Sequence, residues 1–232
     1  MDRIVIDDIP FNVDEKGLSQ VLGIQPDSIH ASEFSKIMKE ARLVAKPKAA
    51  FAMATVNIAG ENTIDISGVL FTSRVLRVNL DKAGIVFPFV ATCGTELDRW
   101  SRNIKDMLHS FWVDTIMLIA LSCALNHLGE YLKERLGESV KLSTMNPGSL
   151  NDWPLEEQAN LFLLLGNCAP TIGATLTESM LIRPLKSVSG IQFVSEDSFI
   201  NCSLCPRQEC PLRRAVYDDS LYAANYINDC IQ

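Results

Sequence analysis

The stretch Leu176-Thr-Glu-Ser-Met-Leu-Ile-Arg-Pro-Leu-Lys-Ser-Val-Ser-Gly-Ile191 decides the fold class. β-Branched and apolar residues on both sides of Arg183-Pro184-Leu185-Lys186 predict two strands, Thr175 to Ile182 and Ser187 to Val194, with no helix between them. Upstream, Pro154 to Leu165 reads as a helix, with Glu156 and Glu157 in its first turn and Gly166 at its end. Val140 to Ser143 reads as a strand. Leu108 to Leu136 reads as one helix of roughly 40 Å, apolar nearly all round in its middle and therefore expected to run through the core. It closes on Lys133, Arg135 and Gly137. Strands are further expected at Ala49 to Ala59, Thr63 to Ile66 and Gly84 to Ala91, although Pro88 weakens a central position for the last. Helices are expected at Asp14 to Leu22, Ser32 to Ala45 (with Ser32 as N-cap), Ser73 to Leu80, and Pro211 to Asn228. Helices and strands mix without regular strand–helix–strand alternation, so the expected class is α+β rather than a doubly wound sheet.

Composition narrows the function. The 232 residues carry 21 Lys+Arg against 28 Asp+Glu, a formal charge of −7, which argues against a nucleic-acid partner. Hydrophobic residues make up 47%, as in a globular chain that folds without staples. The opening MDRIVIDDIPF has no basic segment followed by an apolar one. The longest uncharged stretch, Thr115 to Gly129, is shorter than the roughly 20 residues of a membrane helix. The expectation is a cytoplasmic protein with no membrane partner. No GxGxxG, GxxxxGK[ST], GxSxG or HExxH occurs, and His30, His109 and His127 are scattered. No constellation for acid–base catalysis emerges.

Two segments carry residues that packing alone does not ask for. In Thr144-Met-Asn-Pro-Gly-Ser-Leu-Asn-Asp-Trp-Pro-Leu-Glu-Glu-Gln158, Pro147-Gly148 forms a turn between a strand and a helix. Such a turn exposes backbone N–H groups and lets a ligand come close, or it serves as a plain connection. In the Leu176 stretch, Glu178 is expected inside a buried strand, where its carboxylate needs a partner, either a structural one or a ligand. Ser187-Val-Ser-Gly190 offers a strand face that meets a ligand or a close-packed backbone.

The ordered series Pro147-Gly148, Thr177-Glu-Ser179, Pro184 and Ser187-Val-Ser-Gly190 resembles the activation domain of cobalamin-dependent methionine synthase, the module that binds S-adenosylmethionine. Supporting stretches are Ala91-Thr-Cys-Gly-Thr-Glu-Leu97, Glu130-Tyr-Leu-Lys-Glu-Arg135 and Asp152-Trp-Pro-Leu-Glu-Glu-Gln158. The likeness runs from about residue 14 to residue 195 and is strongest to stand-alone relatives of the module. It implies a curved α+β domain with a twisted, largely antiparallel sheet. It also implies an accessory role, in which the module presents S-adenosylmethionine while an electron donor helps return an oxidised Co(II) corrinoid, carried by a partner protein, to the methylated form. The family pattern Arg-x-x-Pro-Gly-Tyr places Arg and Tyr on the ligand, whereas this chain has Thr144 and Ser149 there. Loss of the guanidinium removes roughly a few kcal/mol of carboxylate binding. Asn146, Ser149 and backbone N–H groups are the candidates to replace it, or the ligand has changed. The candidate ligand residues are thus Thr144, Asn146, Pro147, Gly148, Ser149 and Glu178.

Beyond residue 200 the chain reads as a Cys-rich extension (201–232) packed on the preceding domain (1–200). Cys202, Cys205 and Cys210 have C-x2-C-x4-C spacing, and Cys230 is the first candidate for a fourth ligand, with Cys93 and Cys168 in reserve. Arg207, Arg213 and Arg214 would favour thiolates. Thiolate sets select zinc or an iron–sulfur cluster; free thiols or a disulfide are the alternatives. Two functions follow. One is a corrinoid-methyltransferase accessory that binds S-adenosylmethionine. The other is an iron–sulfur or zinc protein that docks on a corrinoid protein without that ligand.

Overall fold

The computed structural model describes residues 1–195, 199–207, 209–210 and 213–227. Its strands are β1 (Asp2–Ile6), β2 (Lys48–Ile58), β3 (Thr63–Ile66), β4 (Val69–Thr72), β5 (Ile85–Thr92), β6 (Leu142–Met145), β7 (Thr175–Leu176), β8 (Ile182–Arg183) and β9 (Ser187–Val194). Seven form one sheet in the order β4-β3-β2-β5-β9-β6, with β1 also paired to β2, while β7 and β8 pair separately. Every paired strand runs antiparallel to its neighbour. The helices are α1 (Glu15–Val21), α2 (Ile29–Val44), α3 (Arg74–Asn79), α4 (Thr95–Ser101), α5 (Met107–Leu136), α6 (Gln158–Leu165), α7 (Cys168–Thr171) and α8 (Ser220–Tyr222). The class is α+β, as expected.

Short polar side chains set the helix starts. Asp14, Ser28, Ser73 and Asp106 accept the N–H groups of Lys16, Ala31, Leu76 and His109 at the heads of α1, α2, α3 and α5. The head of α2 therefore lies at Ser28 and not at Ser32, whose hydroxyl instead donates back to Ile29 O within the first turn. Helix α5 runs for 30 residues and ends where Gly137 takes φ +114°. By length and hydropathy it could cross a membrane. In the fold, Leu121, Ala124, Leu128 and Leu132 pack against Phe51, Phe87, Phe89 and Ala91 of β2 and β5. That spacing places them along one face of the helix.

The opposite sheet face carries Val86, Met145, Ile191 and Phe193 against Leu76, Trp153, Leu161 and Leu164. Leu204 and Tyr226, from beyond residue 200, are buried in this same cluster.

Four expectations are corrected. Strand β5 is central despite Pro88, because β2–β5 pairing breaks there: it holds at Phe51–Phe89 and resumes at Ala54–Val86. A missing N–H costs little where no ladder bond is due. Strand β6 begins at Leu142, two residues later than Val140, which puts Met145 in the core. Thr175 to Ile182 is not one strand. Thr177 N–H donates to Leu181 O (2.9 Å), Leu181 N–H to Thr177 Oγ1 (3.1 Å) and Met180 N–H to Thr177 O (3.0 Å). These local bonds close a turn between β7 and β8, with Met180 at φ +59°. The expected tail helix is confined, among the described residues, to α8 and a π-helical turn over Ala223–Ile227. Strands β1 and β4 were not expected at all.

Candidate functional site

The loop after β6 is built by its own backbone. Gly148 N–H donates to Trp153 O (2.8 Å) and Ser149 N–H to Asn146 O (3.3 Å). Gly148 sits at φ +73°, where a Cβ would meet Leu155 Cδ1 at 2.9 Å, so the position suits glycine. Pro147 is buried and Gly148 exposed. The two amides expected to greet a ligand are thus committed to the loop. Among the described residues, the hydroxyls of Thr144 and Ser149 and the Asn146 Oδ1 have no hydrogen-bond partner.

Asn146 ties the loop to the sheet. Its Nδ2 donates to Ser189 O at 2.8 Å. A Cβ on Gly190 would meet Met145 O at 2.4 Å and Asn146 Nδ2 at 2.6 Å. The small residues of Ser187-Val-Ser-Gly190 therefore answer, at Gly190, to a close-packed backbone. Ser189 points to the other side of the sheet and donates to Gln158 Oε1 at 2.8 Å, while Gln158 Nε2 donates to Met180 O at 2.6 Å. One relay thus joins the Asn146 loop, β9, the head of α6 and the Glu178 turn.

Glu178 itself is exposed in that turn, not buried in a strand. The reason is the Thr177-centred turn described above, which lifts residues 178 and 179 out of the ladder. Its carboxylate meets water and needs no buried partner. Sequence reasoning also missed Gln192. It stands opposite Thr144 in the β6–β9 register, and its buried Oε1 has no hydrogen-bond partner among the described residues.

Cys202, Cys205 and Cys210 are partly buried free thiols. Their loop is gathered by Arg213. The guanidinium donates to the carbonyls of Cys202 (3.1 Å), Cys205 (3.0 Å) and Ala215 (2.9 Å), and also to that of Arg207. Arg214 N–H donates to Cys202 Sγ at 3.5 Å. Arg213 therefore holds main chain rather than thiolates. Among the described residues no three of His, Cys, Asp and Glu stand together as a metal-ligand set, and Cys230 lies outside the described residues. Cys93, held in reserve as a ligand, is fully buried, and burial with Asp98 nearby pushes its thiol up to about 12. It stays protonated at neutral pH and donates to Gly94 O. Cys123 likewise donates to Asn12 O, and burial raises its pKa.

Two of the scattered histidines meet in space. His30 Nδ1 and His109 Nε2 lie 3.2 Å and 3.5 Å from the same oxygen of Glu33, beside the buried ring of Trp112. The hydrogen bond from His30 is the main cause holding the Glu33 carboxyl below its ordinary range.

Two open cavities lie on the side of the tail, of about 1020 Å³ and about 300 Å³. Neither is lined by Thr144, Asn146, Pro147, Gly148, Ser149 or Glu178.

No family model matches the chain, and no curated protein matches it. Among solved structures it is similar to the crystal structure of the MetH reactivation domain bound to AdoHcy. The two are 16% identical with a TM-score of 0.59, over 86% of this chain and 80% of that one. At that identity the likeness shows a shared fold.

Proposed function

We propose that the chain is an accessory module of a corrinoid methyltransferase system, docking on a corrinoid-carrying partner and presenting S-adenosylmethionine to it. The observation that carries this reading is the shared fold, over 86% of the chain, with a reactivation domain solved with AdoHcy. AdoHcy is what S-adenosylmethionine becomes once its methyl group is given away. The ordered motifs from Ala91 to Gly190 point to the same module.

In this reading an electron from a separate donor takes Co(II) to Co(I). The Co(I) then attacks the sulfonium methyl, forming a Co–CH3 bond and releasing AdoHcy. The corrinoid supplies that chemistry. This chain's residues bind and position. Thr144 and Ser149 occupy the positions where the family pattern has Arg and Tyr, and their hydroxyls, with Asn146 Oδ1 and the buried Gln192 Oε1 opposite Thr144 in the register, are the groups offered to the ligand. Glu178 belongs to the turn that the Gln158 relay holds on the other face of β9, away from these groups.

Calorimetric titration with S-adenosylmethionine and with AdoHcy tests the ligand. Heat saturating at millimolar ligand or below, and lost in Asn146→Ala, is the expected result. No heat at millimolar ligand with the folded protein removes S-adenosylmethionine from the account.

A second reading rests on the C-x2-C-x4-C spacing alone: Cys202, Cys205 and Cys210, with Cys230, would hold zinc or an iron–sulfur cluster for docking or electron transfer, in an arrangement other than that of the described residues, where no three such ligands stand together. Iron and sulfide analysis of anaerobically purified protein decides it: a colourless, metal-free preparation ends this reading.

A further inference from the structure

The smaller cavity joins the segment of residues 144–158 to the cysteine loop. It is lined by Leu150 and Asn151 from the loop before α6, by Leu204 and Pro206 from the cysteine loop, by Val75 at the head of α3, and by Tyr217, Asp218, Asp219 and Tyr222. Its volume, about 300 Å³, is at the small end of the range for small-molecule sites.

We propose that this cavity binds a small methylated onium cation, a quaternary ammonium group held against Tyr217 and Tyr222 with Asp218 and Asp219 at the mouth. The floor is apolar: Val75, Leu150 and Leu204 are all buried. Among the described residues no Lys, Arg or His lines it, while Asp218 and Asp219 do. Two guanidiniums lie next to lining residues in sequence, Arg207 beside Pro206 and Arg74 beside Val75. Arg74 donates to the carbonyls of Glu61 (2.9 Å) and Tyr226 (3.4 Å) and also acts electrostatically on Tyr222.

This combination selects among cations. A metal ion needs converging oxygen, nitrogen or sulfur ligands, and the described residues offer no such group. A primary ammonium is strongly hydrated and needs acceptors for its three N–H groups. A permethylated ammonium has no N–H to satisfy, gives up water cheaply, and is attracted by aromatic faces. A carboxylate-bearing ligand meets like charge at the mouth.

Asp218 and Tyr222 are fixed before any ligand arrives, while Tyr217 is exposed. Asp218 N–H donates to Ser203 O at 2.8 Å, and its Oδ1 accepts from Ser220 Oγ at 2.6 Å. Tyr222 Oη donates to Asp152 Oδ1 at 3.4 Å, and Asp152 in turn accepts the Val75 N–H at 2.9 Å. The Tyr222 ring packs against Tyr226 with centroids 5.5 Å apart.

The test uses choline and its uncharged carbon isostere, 3,3-dimethylbutan-1-ol, titrated into the full chain and followed by NMR shifts of the tyrosine rings. Choline is expected to bind at least about tenfold more tightly than the isostere, the factor that a cation–aromatic attraction of this kind supplies. Tyr217→Ala is expected to weaken choline binding several-fold, and Tyr222→Phe, which keeps the ring, to retain it. Equal binding of the two probes, or no choline binding by the folded chain, overturns the proposal. Excess S-adenosylmethionine, whose carboxylate is repelled at the mouth, is expected not to displace choline, so this result stands or falls separately from S-adenosylmethionine binding.

Discussion

Gln158 and Ser189 are joined by a buried hydrogen bond of 2.8 Å, and through it α6 is fastened to the central sheet. The same Gln158 donates to Met180 O, so one amide side chain fixes both β9 and the turn that carries Glu178. The turn's position is thereby coupled to the loop held by Asn146 on the other face of β9.

Removing that amide should loosen the turn. Gln158→Leu leaves Ser189 Oγ and Met180 O without their partners, each a buried polar group costing about 1–3 kcal/mol when orphaned. The variant is expected to lose about 2–4 kcal/mol in urea denaturation and to become sensitive to proteolysis at residues 177–181. A loss below the resolution of the measurement would show that the relay carries no stability.

Gly190→Ala tests the closest approach in the sheet. The new Cβ meets Met145 O and Asn146 Nδ2 well inside normal contact, so β6 must move away from β9. Overpacking of this kind costs about 1–3 kcal/mol or more. The expected outcome is a destabilised chain in which Asn146→Ala, added second, recovers part of the loss.

Cys93 sets a pH dependence. Its folded pKa of about 12 exceeds the ordinary value of 9.0, so the fold favours the protonated thiol. That contribution is complete below pH 9, and it is lost as pH rises from about 9 toward about 12, because the unfolded chain releases the proton first. Cys93→Ala should flatten the fall in stability over that window. In the same fold, Cys93 should resist iodoacetamide at pH 8 while the partly buried Cys202 reacts.

Thr144→Arg with Ser149→Tyr restores the Arg-x-x-Pro-Gly-Tyr pattern. A guanidinium that pairs with the ligand carboxylate should raise S-adenosylmethionine affinity by at least about tenfold in calorimetry. Unchanged affinity would place the ligand away from this loop.

The parts of the fold legible in the sequence are those with strong local signals. Helix α5 shows in its long apolar run, β9 in Ser187 to Val194, and the heads of α1 and α3 in Asp14 and Ser73. Strands β1 and β4 did not show, because DRIVI mixes charged with apolar residues and VLFT is only four residues long. The Glu178 turn was hidden because Thr177 is β-branched yet spends its hydroxyl on Leu181 N–H, a competition that periodicity does not register. At the candidate site, the Pro147-Gly148 turn was legible, but the structural bonds of Asn146 to Ser189 O and of Gly148 N–H to Trp153 O were not. Gln158 and Gln192 were not, because their roles depend on contacts distant in sequence. His30 and His109 meet on Glu33 only once α2 and α5 are packed.

The most direct measurement of the central claim is remethylation of a corrinoid protein. A Co(II) corrinoid protein is mixed with S-adenosylmethionine and a low-potential electron donor, with and without this chain, and the methyl-Co(III) absorbance is followed. The account predicts that methyl-Co(III) forms only when the chain is present, with one AdoHcy released per methyl transferred. Formation at the same rate without the chain, or none with it across corrinoid proteins that bind it, would contradict the account.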